Sequence, residues 1–565
     1  MRVLIVLSAL TACYQPSVTN CQYTCGPSDS CPDGQTCTNG FCVSLGEVCA
    51  GSGGSGGSGI PDVPIGLAPA NGVYTGSYRF AGSLTPTFRW SAVSGTDYYE
   101  LDLDPTCVTP QSCTFPDGST IHASSITTTS YTPSMLAVST TPPVGQRYGW
   151  RVRACNSTGC SAWTAARYLN VGRLRDDFDG DGASEIAIGA VMTANLAFFD
   201  VDGSGSPTLW TNCAPSNGEV SFGFTLVVGD FNGDGYSDVA AAGIVGSVSD
   251  VTVIPGGASL NCPSDERLLH LGSDATAFAN QIAGVGDLDG DGFDDLVALE
   301  ITPTGRELDV YFGGQNGLDA MNPVAIQLMS AVPIGALVAG MGDIDGDGYL
   351  DVAFATGSGA GPTGIAIVPG SSSRVFSATT ILTEPGTASF GDVIAIADVD
   401  GDGLAELFAT AQTDDADPTN FVIAFRMSPT GLMDVKHLAS SDMDASFGDA
   451  LLPIRAGSAT ELAVGDTGRG VTIIDGNLDA TVSNIDDTNT NPEDDAFGAP
   501  LGGGDIGTGS TWLAVGAVHD GGDKQGGVFF CPRTGSDPST GFATCVQLLD
   551  PNGTHNDSFG TGLTP

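Results

Sequence analysis

Five nine-residue segments carry acidic or amide side chains at positions 1, 3, 5 and 9, with glycine at positions 4 and 6. They are 177–185 (DFDGDGASE), 230–238 (DFNGDGYSD), 287–295 (DLDGDGFDD), 343–351 (DIDGDGYLD) and 398–406 (DVDGDGLAE). A hard dication such as Ca²⁺ prefers about six to eight oxygen ligands. Glycine permits the tight turns that aim such oxygens inward. The spacing therefore predicts five calcium loops, which we number 1 to 5 in chain order.

The predicted ligands in each loop are four side chains and the backbone carbonyl of position 7. The side chains are Asp177, Asp179, Asp181 and Glu185; Asp230, Asn232, Asp234 and Asp238; Asp287, Asp289, Asp291 and Asp295; Asp343, Asp345, Asp347 and Asp351; Asp398, Asp400, Asp402 and Glu406. The carbonyls belong to Ala183, Tyr236, Phe293, Tyr349 and Leu404. Position 12, a glutamate in EF-hands, is never Glu here, and the flanking segments are strand-like. We therefore expect calcium loops on β-hairpins.

Two alternatives to calcium compete for these loops. Asp-Gly is a favoured turn dipeptide, so one copy alone would fit an acidic β-turn without metal. Five copies that keep all the odd-numbered oxygens favour an ion. Mg²⁺ fits less well, because it demands near-octahedral geometry and retains water. The sequence therefore predicts about five Ca²⁺ ions, each of which stabilises the folded state by tying two strands together.

The charge balance restricts the class of partner. The chain has 65 acidic and 18 basic residues among 565, a formal net charge of −47. Nucleic acids and anionic lipid headgroups would be repelled, whereas cations are attracted. The 80 glycines and 32 prolines favour an all-β protein rich in turns.

The loops belong to a longer repeat. Their first residues are 53, 57, 56 and 55 residues apart. A Phe-Gly pair or a relative of it precedes each loop after the first: Phe222-Gly223, Phe278-Ala279, Ile334-Gly335 and Phe390-Gly391. Two further units keep the frame without the acids, with Phe447-Gly448 before 455–466 and Phe497-Gly498 before 505–517. Seven units of this length predict a seven-bladed β-propeller with one four-stranded blade per repeat.

The Phe-Gly pair, the acidic loop and the following IAIGA, LAVGD or LAVGA resemble the FG-GAP repeats of integrin α-chain propellers and related bacterial proteins. The resemblance covers residues 173–565 and implies a calcium-binding propeller. The first unit lacks its Phe-Gly pair, whereas the chain finishes with Phe559-Gly560 and a short strand. We expect this strand to complete the first blade and close the ring, since closure removes exposed strand edges. The rival is a fragment ending where an eighth unit begins.

The N-terminal 60 residues have the features of a secreted, lipid-anchored protein. Residues 1–12 form a short signal peptide, and Leu10 to Cys13 resemble a bacterial lipobox, which implies acylation of Cys13. A plain signal peptide is the alternative. Residues 13–50 contain six further cysteines, which favours disulfides over a zinc site because this stretch has no histidine. Residues 51–60 are a Gly/Ser-rich linker.

Residues 61–171 alternate in a way typical of a small β-sandwich. Trp90, Trp150, Trp163, Tyr99, Leu101 and Val152 are its predicted interior. The run from Tyr148 to Val171, with WRVRA and G-x-S-x-W, resembles the last two strands of a fibronectin type III domain. Local pairing predicts disulfides Cys107–Cys113 and Cys155–Cys160 here, and Cys531–Cys545 in the last blade. Cys213 and Cys262 then pair by elimination.

Three hypotheses about function remain open. The first is a cell-surface binding or adhesion protein whose propeller presents loops to an extracellular protein or glycan. The second is a hydrolase or lyase acting on polysaccharide, and the third is a passive element of the envelope. No catalytic motif is identifiable, so we predict no enzyme. The resemblance to a lipobox implies a bacterial lipoprotein, and Tyr14 after the cysteine implies the outer membrane or cell surface of a Gram-negative bacterium, with the membrane reached through the lipid alone.

Overall fold

We describe the protein from a computed structural model. The described residues are 35–38, 41–44, 59–107, 113–116, 118–201, 205–215, 222–245, 248–260, 262, 267–270, 282–302, 305–326, 334–357, 362–414, 419–428, 431–439, 446–456, 459–467, 470–486, 497–517, 527–533, 541–548, 551 and 559–564. In these ranges the chain forms strands, with 3₁₀ turns at Ala81–Leu84 and Val191–Thr193 and no α-helix. No helix in them has the length and apolar character needed to cross a membrane. The all-β class is confirmed.

The chain divides into two compact units, Met1–Ser58 with Met427–Met433, and Gly59–Arg426 with Asp434–Pro565. In the first unit, β1 (Gln35–Thr38) pairs antiparallel with β2 (Phe41–Ser44), and Cys37 stands opposite Cys42 in the register. The predicted signal peptide, Cys13 and the linker up to residue 58 lie outside the described residues. Those features, and the predicted domain boundaries, stay predictions.

The second unit begins with a β-sandwich. Its strands are β3 (Gly66–Ala68), β4 (Val73–Tyr74), β5 (Phe88–Trp90), β6 (Tyr98–Asp104), β7 (Ile121–Ile126), β8 (Ser130–Tyr131), β9 (Gln146–Asn156), β10 (Gly159–Cys160) and β11 (Arg167–Val171). One sheet has the order β3-β5-β8 and the other β4-β11-β9-β6-β7, with β10 beside β9. Their inner faces enclose a core that includes the predicted residues Trp90, Tyr99, Leu101, Trp150 and Val152.

The prediction that Trp163 belongs to this core is wrong. Side chains alternate between the two faces of a strand, so Arg151 and Arg153 of β9 point away from buried Trp150 and Val152. Trp163 covers that outer face, with the guanidinium carbons of Arg151 and Arg153 4.3 and 4.4 Å from its ring centroid. The indole is half-buried and contributes cation–π contacts rather than core packing.

The repetitive region forms seven four-stranded groups in the part of the chain that the structure describes. Group 1 contains β12 (Ile186–Ala190), β13 (Asn195–Val201), β14 (Pro207–Cys213) and the last strand, β39 (Phe559–Leu563). Groups 2 to 4 contain β15 (Leu226–Gly229), β16 (Asp238–Val245), β17 (Val248–Ile254), β18 (Arg267–His270); β19 (Ile282–Gly286), β20 (Asp295–Thr302), β21 (Gly305–Tyr311), β22 (Val324–Ala325); β23 (Ile334–Gly342), β24 (Asp351–Gly357), β25 (Pro362–Val368), β26 (Thr380–Leu382). Groups 5 to 7 contain β27 (Thr387–Ala397), β28 (Glu406–Thr413), β29 (Asn420–Ser428), β30 (Gly431–Ala439); β31 (Phe447–Ala456), β32 (Ala459–Asp466), β33 (Gly470–Ile474), β34 (Ala480–Asp486); β35 (Phe497–Asp505), β36 (Thr511–Ala517), β37 (Gly527–Pro532), β38 (Val546–Leu548).

In groups 2 to 7 the strands pair in chain order. A parallel pairing of β25 with β27 joins groups 4 and 5. In group 1 the order is β14-β13-β12-β39, so the end of the chain supplies the strand that the first repeat lacks. This pairing is the one that ring closure requires. The number of blades and the fibronectin type III assignment stay predictions, with which these sheets are compatible.

The Phe-Gly pairs explain how the groups pack together. The phenylalanines are buried and the glycines have positive φ, in the pairs at Phe222, Phe390, Phe447, Phe497 and Phe559. Phe222 packs in a core shared by groups 1 and 2, and Phe497 in one shared by groups 6 and 7. Phe559 packs between groups 7 and 1. The Phe therefore anchors neighbouring sheets, and glycine makes the left-handed turn beside it. Phe278-Ala279 lies outside the described residues.

Four disulfides connect the predicted cysteine pairs. They are Cys107–Cys113, Cys155–Cys160, Cys213–Cys262 and Cys531–Cys545. The first two lie in the sandwich, the third joins β14 of group 1 to the segment after β17 of group 2, and the fourth lies within group 7. Structural disulfides of this kind are typical of proteins that fold in an oxidising compartment.

Phe559→Ala tests the contribution of the C-terminal strand. Phe559 is fully buried between groups 7 and 1, and truncation of such a side chain costs about 3–5 kcal/mol. We expect a loss of this size in urea denaturation. Leu209→Ala, at a site 44% exposed on β14, is the control. A loss no greater than that of the control would contradict closure through β39.

Candidate metal sites

Acidic loops 2 to 5 connect the first and second strands of their groups. Loop 2 follows β15 and ends at Asp238, the first residue of β16; loops 3, 4 and 5 lie in the same way before β20, β24 and β28. Loop 1 leads directly into β12. The prediction that these loops belong to β-hairpins therefore agrees with the structure for loops 2 to 5. Each loop therefore holds its carboxylates at one end of its group of strands.

A shared set of hydrogen bonds folds every loop. In loop 1 the backbone N–H of Gly182 donates to Asp177 Oδ2 at 2.8 Å, that of Asp181 to Asp179 Oδ1 at 3.0 Å, and that of Ala183 to Asp181 Oδ1 at 2.8 Å. The same three bonds recur in loops 2 to 5. The backbone N–H groups of positions 6, 5 and 7 donate to the side chains of positions 1, 3 and 5, respectively. The turns orient the side chains at positions 1, 3 and 5 toward the inside of the loop.

The carboxylate at position 9 closes each loop with one of its oxygens. The partner of its second oxygen differs from loop to loop. In all five loops it accepts a hydrogen bond from the N–H of position 2. The second oxygens of Asp238, Asp295 and Asp351 accept bonds of 2.9, 2.9 and 3.1 Å from Gly256, Gly313 and Gly370, which follow the third strands. Glu406 instead pairs with Arg426 at 2.9 Å. Glu185 Oε1 is buried and has no hydrogen-bond partner.

The loop carboxylates converge as a metal site requires. One oxygen from each of Asp177, Asp179, Asp181 and Glu185 lies within 4.8 Å of the others. Loops 3 and 4 contain similar groups, formed by Asp287, Asp289 and Asp291 and by Asp343, Asp345 and Asp347. The position 9 residues of these two loops do not belong to the groups. In loop 1, Glu185, whose side chain is one methylene longer than that of aspartate, reaches the group. The ligand role of the position 7 carbonyls stays a prediction.

These groups carry an electrostatic cost that a cation would relieve. Burial, followed by the charges of Asp177 and Asp179, raises the pKa of Glu185 well above its usual range. Burial also raises the pKa of Asp343 to about 8 and that of Asp230 to about 7. Asp230 Oδ1, like Glu185 Oε1, is buried without a partner. Hard, crowded oxygens with unused lone pairs suit Ca²⁺, so the donor set fits the predicted ion.

Hydrogen bonds also link successive loops around the ring. The N–H of position 8 donates to the position 1 carbonyl of the preceding loop: Ser237 to Asp177 at 3.0 Å, Asp294 to Asp230 at 3.1 Å and Ala405 to Asp343 at 2.8 Å. Ser184 of loop 1 donates to the carbonyl of Asp505 in group 7 at 2.8 Å. These bonds connect loop 1 with loop 2, loop 2 with loop 3, loop 4 with loop 5, and group 7 with loop 1.

Sequence reasoning missed the partners that lie outside the loops. Arg79 pairs with Asp181 at 3.0 Å, Arg374 with Asp289 and Asp291, and Arg426 with Asp400. Isolated arginines give no spacing signal. A signal did exist for Gly256, Gly313 and Gly370, which recur 18 or 19 residues after position 9. A Cβ at Gly256 would lie 2.3 Å from the carbonyl of Ser237, so other residues would clash there.

Comparisons with known proteins agree with the repeat. Residues 343–409 match the family model of the FG-GAP-like repeat. This chain is similar to human integrin alpha-8, with 27% identity over an alignment of 212 positions. The alignment covers 34% of this chain and 20% of the length of the integrin. The FG-GAP and integrin-like resemblance is therefore confirmed.

Solved structures resemble this chain only at low identity and low TM-score. A protein from Lactobacillus plantarum has a TM-score of 0.42 and 10% identity, over 67% of this chain and 98% of its own. The Bacillus licheniformis rhamnogalacturonan lyase has a TM-score of 0.33 and 12% identity, and the match covers 85% of this chain and 90% of the lyase. At these scores the likeness assigns no activity.

Removal of calcium is expected to lower the melting temperature. An ion that binds only the folded state adds about 2.7 kcal/mol to the free energy of unfolding when free calcium is 100 times its Kd. The chain has five loops at which this contribution can arise. Differential scanning calorimetry in calcium and in excess EGTA measures the shift, with magnesium at equal concentration as the control. A transition that EGTA leaves unchanged would contradict a metal role for the loops.

The metal-free protein is expected to lose stability as pH rises. A carboxyl whose pKa is raised on folding stabilises the protein below its unfolded pKa and ceases to do so above its folded pKa. The pKa values of about 6 for Asp398, 7 for Asp230 and 8 for Asp343 place the loss between about pH 4 and 8. Urea denaturation of chelator-treated protein across this range measures it. Stability that rises steadily over the range would show that burial of these acids carries no such cost.

Proposed function

We propose that this protein is an extracellular, calcium-stabilised binding protein whose propeller presents a surface to a protein or glycan ligand. The four disulfides and the integrin-like repeats indicate an extracellular or secreted protein. The resemblance to integrin alpha-8 supports a role in binding. Anchoring through Cys13 stays a prediction, because that residue lies outside the described part of the chain.

The observation that carries the proposal is the structural use of the loop acids. Their carboxylates accept hydrogen bonds from backbone N–H groups within the loops and from glycines after the third strands, and separate backbone bonds connect loops 1 with 2, 2 with 3 and 4 with 5. Paired acids that catalyse hydrolysis need instead an accessible position on either side of a substrate bond. The raised pKa values at these loops follow from burial and from crowding of like charges, which metal sites share with active sites.

The sandwich restricts where a ligand can bind. Its residues form hydrogen bonds with loops 1, 3 and 4 at the loop-bearing ends of the sheets. A ligand of the propeller would therefore contact the surface that remains, and the loops would act by holding that surface rigid. Calcium would then affect binding through stability and order rather than by direct coordination of the ligand.

Binding to glycan and extracellular-protein arrays, with calcium and with EGTA, tests the proposal. We expect saturable binding to a restricted set of ligands, which weakens in EGTA together with the melting temperature. Each bound polysaccharide is then incubated with the protein, and new reducing or unsaturated ends are measured. Cleavage with turnover would replace the proposal with a polysaccharide hydrolase or lyase, and the absence of any saturable ligand would favour a passive envelope role.

A further inference from the structure

The sandwich meets loop 3 through three side chains of its second sheet, and the first of them, Tyr74 on β4, donates to Asp294 Oδ2 at 3.4 Å. The Tyr168 hydroxyl on β11 donates a short hydrogen bond to Asp287 Oδ2. On β9, Arg147 Nη1 donates to the carbonyl of Gly292 at 2.8 Å. Tyr168 is 1% exposed and Asp287 is fully buried. A sandwich residue thus contacts the position 1 carboxylate, which is also a predicted metal ligand.

Contacts within the sandwich hold Tyr168 and Arg147 in place. The Arg147 guanidinium carbon lies 4.6 Å from the centroid of the Tyr168 ring, and Arg147 Nε donates to Asn170 Oδ1 at 3.1 Å. The backbone N–H of Tyr168 donates to Asn71 Oδ1 at 3.1 Å. The hydroxyl is therefore presented to loop 3 in a fixed direction.

Loops 1 and 4 meet the sandwich partly through backbone carbonyls. The contacts are Ser77 Oγ to the carbonyl of Gly182 at 2.5 Å, the N–H of Val144 to the carbonyl of Gly180 at 3.1 Å, and the N–H of Asn71 to the carbonyl of Gly348 at 3.0 Å. Each accepting carbonyl belongs to a glycine at position 4 or 6, whose conformation is set by the folded loop. The sandwich therefore recognises the loops in their closed form.

Charge complementarity supports the same contact. Arg79 of the sandwich pairs with Asp181, and Arg173 of the following linker lies 4.0 Å from Asp230. Basic groups are few in this chain, and these face the acidic loops. Opposite charges across a contact favour one docked arrangement over others.

We propose that calcium in loop 3 locks the sandwich onto the propeller through Tyr168. An ion held by loop 3 would fix the Asp287 carboxylate as an acceptor and offset the repulsion among Asp287, Asp289 and Asp291 that remains beside Arg374. Without the ion, the loop opens and the Tyr168 and Arg147 contacts weaken. Because such coupling is reciprocal, removal of the Tyr168 hydroxyl lowers the calcium affinity of loop 3, by about tenfold for coupling in the ordinary range.

Hydrogen–deuterium exchange of the full chain during a calcium titration tests the proposal. The variant is Tyr168→Phe, and the control is Tyr148→Phe, whose hydroxyl bonds the carbonyl of Ala137 inside the sandwich. In wild type, calcium should protect peptides covering 287–295 and 167–171 with one midpoint. In Tyr168→Phe the midpoint for 287–295 should rise about tenfold, while that for loop 5 (398–406) stays unchanged.

The outcomes separate this inference from the calcium loops themselves. Protection of the loops without any effect on 167–171, or an unchanged midpoint in Tyr168→Phe, would overturn the lock and leave the metal sites intact. No calcium effect on any loop would overturn both. If Tyr168→Phe fails to fold, Arg147→Met removes the neighbouring contact, and the same rise in the loop 3 midpoint is expected.

Discussion

The structure depends on the compensation of carboxylates that are buried close together. Such groups repel one another and lose hydration, so each needs a donor or a cation. Backbone N–H groups compensate some of these carboxylates, as that of Gly182 does for Asp177. Arginines such as Arg426 compensate others. Buried oxygens without a partner remain at Glu185 and Asp230. The fit of calcium to these loops is therefore a matter of charge balance as much as of ligand spacing.

Backbone hydrogen bonds between the loops also hold neighbouring sheets together. The bonds from position 8 to the preceding loop connect successive groups, and Ser184 with Asp505 extends them from group 7 to group 1. In group 6, which lacks the acidic loop, Glu461 begins a segment similar to the one that follows loop 1. Its carboxylate pairs with Arg533 at 2.7 Å, and both side chains are 1% exposed. There a guanidinium from group 7 lies beside the carboxylate that corresponds to position 9.

The loops and the repeat could be predicted from sequence because both are local and recur at a fixed interval. The pairing of β39 with β12 could be inferred too, since the first repeat lacks a strand that the chain end supplies. Contacts that join distant segments gave no pattern: Tyr168 and Asp287 are 119 residues apart. Trp163 was misplaced because its motif lies beside a buried strand yet covers the outer face. At position 9, the sequence did not show that Asp and Glu use their second oxygen differently.

The central claim is that the five loops bind calcium in the folded protein. Anomalous diffraction from crystals grown with calcium, or with a lanthanide in its place, locates such ions directly. The account predicts five peaks, one inside each loop, with oxygens of positions 1, 3 and 5 at about 2.3–2.6 Å. Loops that retain the same fold but show no peak at saturating metal would contradict it.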